Sequence, residues 1–597
     1  MKTPALAIIC FSLLSGVGRG LEPPADLVER ELAGLWRKID ARSENQEVRE
    51  LFGFALEAAA VGWHPERVES ALAQAAELQD GDRESNTFGN FRWYRNQPKP
   101  MDLNAVEFCL QPGILLWNLH REALTPAARA TLAAMLRHGI AGMRSHDVGV
   151  AYTNIFLMKT WNCVAIGEAF TDADLAAAGR RMLDEWLDYT RVNGVHEYLS
   201  PTYSGVSCDS LALLHRFAQT SDVRAKAETA LRLIYAQSAA NWFAPSERLG
   251  GAHSRDYDYL TGHEWFLDRH LSAWGWLRLK PDVLNELNNL KRWVPASPLT
   301  PLPLPRFVWQ RWGDTPGAYA STYVGQNFCL GSAGAAYGGE DKVLTIQFPG
   351  NPNTVMGNFV MDGRGDPYGQ NTESVGGGHS KALHLTPFIV SVQDHADVLF
   401  AASFDPQQQV NGRSPRPTRQ LSSNLVLPAE AEVWSGGRRV APAAGESAQL
   451  AADQPIFVRV QDVVVAIRVL AATDCSGQPV AARYITDGAS VHAARITWLQ
   501  SVGAATGEAH VVFWMRAAEG LDASGFAHWR ATFGGIPTAA GISRDKLQAS
   551  VTREGQPLLA IDADLRTGER MVSPGPPGEA IITVNGRSLL ELAGIKL

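Results

Sequence analysis

Three stretches of this chain crowd amides, carboxylates, phenols, imidazoles and a guanidinium more densely than a packed helix face tolerates: Tyr152-Thr153-Asn154, His196-Glu197-Tyr198-Leu199-Ser200-Pro201-Thr202-Tyr203, and Gly250-Gly251-Ala252-His253-Ser254-Arg255-Asp256-Tyr257. An amide or cation aimed at an oxygen stabilises negative charge that develops there, and an imidazole or phenol nearby can move the proton. His253, Arg255 and Tyr257 alternate, so an extended loop would send base, cation and phenol to one side. The plainer alternative is that His253 and Arg255 satisfy loop carbonyls and carboxylates while Tyr257 packs.

A further stretch, Asn90-Phe91-Arg92-Trp93-Tyr94-Arg95 followed by Asp102-Leu103-Asn104-Ala105-Val106-Glu107-Phe108, mixes arginines with rings. Flat apolar faces with hydrogen bonds at the ring edge suit sugars. Trp93 is therefore a candidate platform, and Arg92 or Arg95 a candidate partner for a carboxylate. The alternative is a core Trp93 with surface arginines.

The elements that must position these residues are helical first. Over residues 26–293, helix starts are marked at Thr125-Pro126, Thr171-Asp172, Ser221-Asp222 and Pro281-Asp282. After Ser221, apolar Val223, Ala227, Ala230, Leu231 and Ile234 recur at helical spacing, with Arg224, Lys226, Glu228 and Arg232 on the other face. About ten to twelve such segments with short connections fit paired helices in a ring, an (α/α) toroid. Loops at the 196–203 and 250–257 stretches could meet at one mouth of such a ring. The proline-rich stretch 295–305 cannot continue a helix. Beyond it, runs such as Ile456 to Val460, Val463 to Leu470 and Val511 to Met515 read as strands of an antiparallel β-sandwich. The expected organisation is multidomain, α then β: a leader over 1–20, an (α/α) toroid over 21–294, a linker over 295–305 and an antiparallel β-sandwich over 306–597.

The leader expectation rests on Lys2, the apolar run from Ala5 to Leu14 and small residues at Gly16, Gly18 and Gly20, the pattern of a cleavable secretion signal. It implies a secreted or periplasmic protein. No later run supplies the roughly 18 apolar residues that span a bilayer, so no membrane partner is expected. The formal net charge of −8 gives no general attraction to nucleic acid; an acidic substrate would need a local basic groove. Cys109, Cys163, Cys208, Cys329 and Cys475 are too scattered for a disulfide scaffold, and the first three read as buried thiols. Nothing in the chain sets an oligomeric state.

In this order of domains, the chain resembles the polysaccharide lyases built from an α/α toroid and an antiparallel β-sandwich, the group that contains alginate, heparin and glucuronan lyases. The residues that carry the resemblance are Asn154, the Glu197-Tyr198-x-Ser200-Pro201-Thr202-Tyr203 run, the His253-Ser254-Arg255-Asp256-Tyr257 run, and Thr322-Tyr323 to Phe328-x-Leu330-Gly331-Ser332. No subfamily is assigned. The resemblance implies β-elimination on an acidic polysaccharide or oligosaccharide: the C5 proton of a uronic acid is removed, the C4–O bond breaks, and an unsaturated uronate remains.

On that implication Asn154, with His253 or Arg255, stabilises charge on the uronate carboxylate. Tyr257 is the first candidate for proton transfer, its pKa drawn below the ordinary value of about 10 by a nearby cation. Tyr203 stands in reserve, and His253 is an alternative base. Glu197 orients His253 or Arg255, or holds a hydroxyl. Arg92, Trp93, Arg95, Glu107 and Tyr198 form the substrate-binding set. No cofactor or metal is expected, since His379, His384 and His395 are irregularly spaced. Two competing functions remain. One is a glycoside hydrolase using a carboxylate pair drawn from Glu197, Asp209, Asp256, Asp258 and Glu264. The other is a noncatalytic glycan-binding protein.

Overall fold

The computed structural model describes residues 24–597 apart from 259, 281, 375–379, 383, 411–413, 488–491 and 554, so the leader stretch lies outside the described residues. The helices are α1 (Ala25–Asp40), α2 (Val48–Ala60), α3 (Pro65–Leu78), α4 (Ala105–His120), α5 (Pro126–Ser145), α6 (Thr153–Phe170), α7 (Ala173–Asn193), α8 (Tyr203–Phe217), α9 (Ser221–Asn241), α10 (Trp265–Ala273) and α11 (Glu286–Leu290). Several start as local chemistry dictates. The Thr125 side chain accepts from the Ala128 amide with Pro126 at the first helical position, and Asp172 accepts from the Leu175 amide. The helix expected at Pro281-Asp282 begins at Glu286 instead. Pro281 lies outside the described residues, Asp282 accepts from the Asn288 side chain, and Glu57 of α2 takes the capping role by accepting the Glu286 and Leu287 amides at 3.0 Å each.

Packing sorts the helices into two layers. α2 packs on α4, α4 on α6, α6 on α8 and α8 on α10, while α3, α5, α7 and α9 each back the inner helix that precedes them. α6 is buried on almost every side, as an inner helix must be. α11 returns to α2, and its Glu57 cap closes the ring. Near the closure, buried Asp209 on α8 meets Arg269 Nη2 at 3.0 Å, His270 Nε2 at 3.0 Å and Lys291 Nζ at 3.3 Å.

The sheet half begins with the strand Arg306–Arg311. An eleven-stranded antiparallel sheet faces a seven-stranded one across a shared apolar core. The arrangement is deeper than a two-layer sandwich. A four-stranded sheet built from residues 538–573, with the helix Ala523–Phe533, covers the outer face of the seven-stranded sheet. Val464, Ala466, Val512 and Trp514 face that second core, which explains why these strands read as continuous apolar runs. The strand Ile582–Val584 then pairs with Arg306–Arg311, and the turn of helix Leu589–Leu592 packs on α9, so Ile582, Val584 and Leu589 belong to the helical core.

Among the described residues Cys109, Cys163, Cys208, Cys329 and Cys475 are free thiols, and all but Cys475 are buried. No group of three or more described His, Cys, Asp or Glu residues is placed to hold a metal. His379 lies outside the described residues; His384 Nε2 meets the Asp366 carbonyl at 2.9 Å, and His395 pairs with Asp394.

Candidate active site

Glu197 lies in the connection from α7 to α8 and reaches the N-terminus of α6, where helix amides lack internal acceptors. Its Oε2 accepts the Asn154 backbone amide at 2.9 Å, and its two oxygens accept Asn154 Nδ2 at 2.9 and 2.7 Å. Arg255 Nη1 donates to Oε1 at 2.6 Å, so a carboxylate only 1 % exposed has its negative charge paired and its lone pairs filled. The other arm of the same guanidinium, Nη2, donates to the hydroxyls of Tyr203 at 3.0 Å and Tyr257 at 3.1 Å. Those hydroxyls are 3.2 Å apart. The Arg255 guanidinium carbon also sits 3.9 Å from the Tyr203 ring centre and 5.5 Å from that of Tyr152.

Holding Arg255 there requires the sheet half. Residues 253–256 lie along 340–342: the His253 amide donates to the Lys342 carbonyl at 3.0 Å, the Lys342 amide to His253 at 2.8 Å, and the Asp256 amide to Glu340 at 2.9 Å. Arg255 adopts a left-handed backbone with φ of 45°, fixed by its amide donating to Asp341 Oδ1 at 3.0 Å and its carbonyl accepting from Ser200 Oγ at 3.1 Å. Asp341 also accepts the Tyr337 and Gly338 amides. Gly251, with φ of 89°, seats the loop: a Cβ there would stand 2.1 Å from Thr322 Oγ1. The Thr322 to Ser332 stretch singled out in the sequence therefore supports this loop from the eleven-stranded sheet; none of it lines the cavity.

The cavity in front of Arg255 is lined by Asn154, Tyr152 and Tyr203, by the rings of Trp93, Tyr94 and Phe108, and by Glu47, Arg49, Asp102, Asn104, Ile155 and Lys381. Asp102 organises one wall, accepting Trp93 Nε1 and the Asn104 amide at 3.0 Å each, and Asn104 Nδ2 donates to the Tyr152 hydroxyl at 3.0 Å. Arg49 lies 5.2 Å from the Trp93 ring centre, and Lys381 lies 5.8 Å from that of Tyr257 and 3.7 Å from Glu340.

Asn154, Glu197, Tyr203, Arg255 and Tyr257 thus form one cluster; Trp93, on the adjoining wall, is only 6 % exposed and packs in the helical core beneath Arg49 and Phe108, so the alternative of a core tryptophan holds for most of its surface. Tyr203 faces the cavity, and Tyr257 backs it through the shared hydroxyl contact. Other expectations need correction. His253 does not share a face with Arg255 and Tyr257, because the left-handed Arg255 breaks the extended alternation. The imidazole is fully buried, with Nδ1 3.0 Å from Asp256 Oδ2 and Nε2 without a partner among the described residues. Arg92 donates to the carbonyls of Glu77 and Gln97, and Arg95 binds Glu77 and Gln74, so both brace the 77–97 segment. Glu107 is buried against His146, and Tyr198 is buried in a stack on Trp312. Burial raises the pKa of Tyr203 well above the ordinary phenol value and also raises those of Tyr257 and Tyr152; the nearby Arg255 only partly offsets it. That reverses the expected direction for Tyr257.

The other carboxylates weighed for a hydrolase lie off the cavity: Asp209 is held by Arg269, His270 and Lys291, while Asp256, bonded to His253, and Asp258, accepting the Leu260 and Thr261 amides, sit near Glu264, whose pKa burial and these charges raise to about 7. Arg49 and Lys381 escaped the sequence reading altogether, while Tyr152, Asp102 and Asn104 lay in the stretches it singled out without being given a role. Only the short polar spacing of Asp102 and Asn104 before α4 signals a built turn.

A family model described as a domain of unknown function (DUF8769) matches residues 64–267, a span holding Trp93, Tyr152, Asn154, Glu197, Tyr203, Arg255 and Tyr257. No curated protein matches the chain. Among solved structures, the chondroitin AC lyase of Streptomyces coelicolor A3 in complex with chondroitin sulphate is 12% identical over 93% of this chain and 87% of that one, with a TM-score of 0.47. The chain is similar in architecture to solved polysaccharide lyases. A chondroitinase AC lyase is 10% identical over 92% of each chain with a TM-score of 0.44, and a heparan sulfate lyase mutant from Pedobacter heparinus is 11% identical over 90% of this chain and 95% of that one with a TM-score of 0.30.

Proposed function

We propose that this chain is a polysaccharide lyase that cleaves a uronate-containing glycan by β-elimination. One observation carries the reading: a single guanidinium, Arg255, is bonded to the hydroxyls of Tyr203 and Tyr257 and to Glu197 at the back of a cavity walled by Trp93, Tyr94 and Phe108. In this reading the half-buried rings of Tyr94 and Phe108 meet the sugar, with Trp93 packed behind them. Arg49 and Lys381 attract the acid groups, while Arg255 faces the charge that builds on the uronate as C5 loses its proton. Tyr203 takes that proton, with Tyr257 and Arg255 steadying its oxygen. Asn154 has its amide hydrogens committed to Glu197, so its part is to hold the Glu197–Arg255 pair in place. The proposal includes export from the cytoplasm on the strength of the leader-like first 20 residues, which fractionation of a producing cell would test.

The deciding experiment offers the purified protein glucuronan, alginate, chondroitin sulfate, heparan sulfate and xanthan, and follows the ultraviolet absorbance of an unsaturated uronate. A rise that falls by about 10²- to 10⁴-fold in rate in Tyr203→Phe is expected. New reducing ends without absorbance would replace the lyase with a hydrolase, and binding without either signal would replace it with a glycan-binding protein.

A further inference from the structure

The elimination just proposed needs two proton transfers, one from C5 and one to the departing oxygen. Tyr203 and Tyr257 share one hydroxyl contact, so they do not by themselves identify the second group. Tyr152 lines the same cavity at the start of α6. Its oxygen accepts from Asn104 Nδ2 at 3.0 Å, and the Arg255 guanidinium lies 5.5 Å from its ring centre. A phenol oxygen has two lone pairs and one proton to give. With Asn104 donating to it, and no acceptor for its own proton among the described residues, the Tyr152 hydroxyl has the cavity as the outlet for that proton. The Asn104 donor and the nearby positive charge of Arg255 would stabilise the phenolate left behind.

Resting on the lyase reading, we propose that Tyr152 is the general acid of the reaction and that acid and base are separate tyrosines on either side of one guanidinium. Tyr203, as phenolate, takes the C5 proton. The C5–H electron pair becomes the C4–C5 double bond as the C4–O bond breaks, and the leaving oxygen takes the Tyr152 proton. The cycle ends with Tyr203 protonated and Tyr152 ionised, and one proton passed between them, directly or through solvent, restores the start. Asn104 is a positioning residue for this step, and Asp102, which accepts the Asn104 amide, fixes Asn104 in turn.

The test compares a polymeric substrate with a uronate carrying fluoride at C4, a leaving group that departs without needing a proton. On the polymer, Tyr152→Phe is expected to lose about 10²- to 10⁴-fold in kcat with little change in KM, as removal of a general acid should. On the fluoride it is expected to run within a few-fold of the parent, whereas Tyr203→Phe fails on both. Asn104→Ala should show a smaller loss with the same recovery on the fluoride, and it serves as a second variant that leaves the Tyr152 ring in place. Parental kcat on the polymer in Tyr152→Phe, or an equal loss on both substrates, would overturn the assignment while leaving the lyase reading intact. A parent that releases no unsaturated product from any uronate would remove both.

Discussion

The Glu197–Arg255 pair is where one atom's chemistry matters most. Glu197→Gln would present an amide N–H to a neighbour that also donates, and would leave Arg255 without its buried counter-charge. A loss of about 3–5 kcal/mol is expected, read by denaturant unfolding, together with loss of turnover. The buried phenols set the pH dependence. Burial favours the neutral form of Tyr203, so the phenolate that the proposed elimination uses as base is scarce at neutral pH, and kcat/KM is expected to climb on the alkaline side; Tyr203→Phe should lack that limb. Asp341 supplies a stability counterpart. Burial outweighs its three amide donors and raises its pKa to about 7 from an ordinary value of 3.8, so its contribution to stability is full below the ordinary value and is lost as pH rises through about 7. Asp341→Asn, destabilised by the same donors, should therefore unfold at a temperature that approaches the parent's as pH rises from about 4 to about 7.

At the scale of elements, the ring is held shut by Asp209 and by the Glu57 cap on α11. Asp209→Asn would leave Arg269, His270 and Lys291 facing one another with no anion, and a cost of about 3–5 kcal/mol is expected by calorimetry, with kcat unchanged because none of these residues lines the cavity. The Arg269 and Lys291 charges and the His270 hydrogen bond hold the Asp209 carboxyl below its ordinary range despite burial, so its stabilisation is present above the ordinary carboxylate value and fades as the solution is acidified through and below it. Helix succession was legible in the sequence because caps and 3.6-residue spacing act within a few residues. The third layer over the seven-stranded sheet was not, since a continuous apolar run reports burial on two faces without naming what covers them. The same limit governed the site. Polar density pointed to Asn154, Glu197, Tyr203, Arg255 and Tyr257, but His253, Arg92, Arg95, Glu107 and Tyr198 are of the same residue types and serve packing. Lys381 arrives from a distant strand with no local motif at all.

In the molecule as a whole, two of the ties between the halves are the run of residues 253–256 along 340–342 and the return of residues 582–595 to the helical core. The parent is expected to unfold in one calorimetric transition. The double variant Ile582→Ala with Leu589→Ala, each costing about 2–5 kcal/mol, should separate a helical-half transition from a sheet-half one. The first of these ties also has a consequence in time. The carboxylate that fixes the Arg255 backbone, Asp341, lies 86 residues further along the chain. At translation rates of about 5–20 residues per second, a ribosome that has just made Arg255 needs roughly 4–17 seconds more before that anchor is synthesised. A half-made chain thus carries every tyrosine of the cluster but not the seat for its guanidinium, and the site is withheld from the nascent protein until the first strands of the second half have been made.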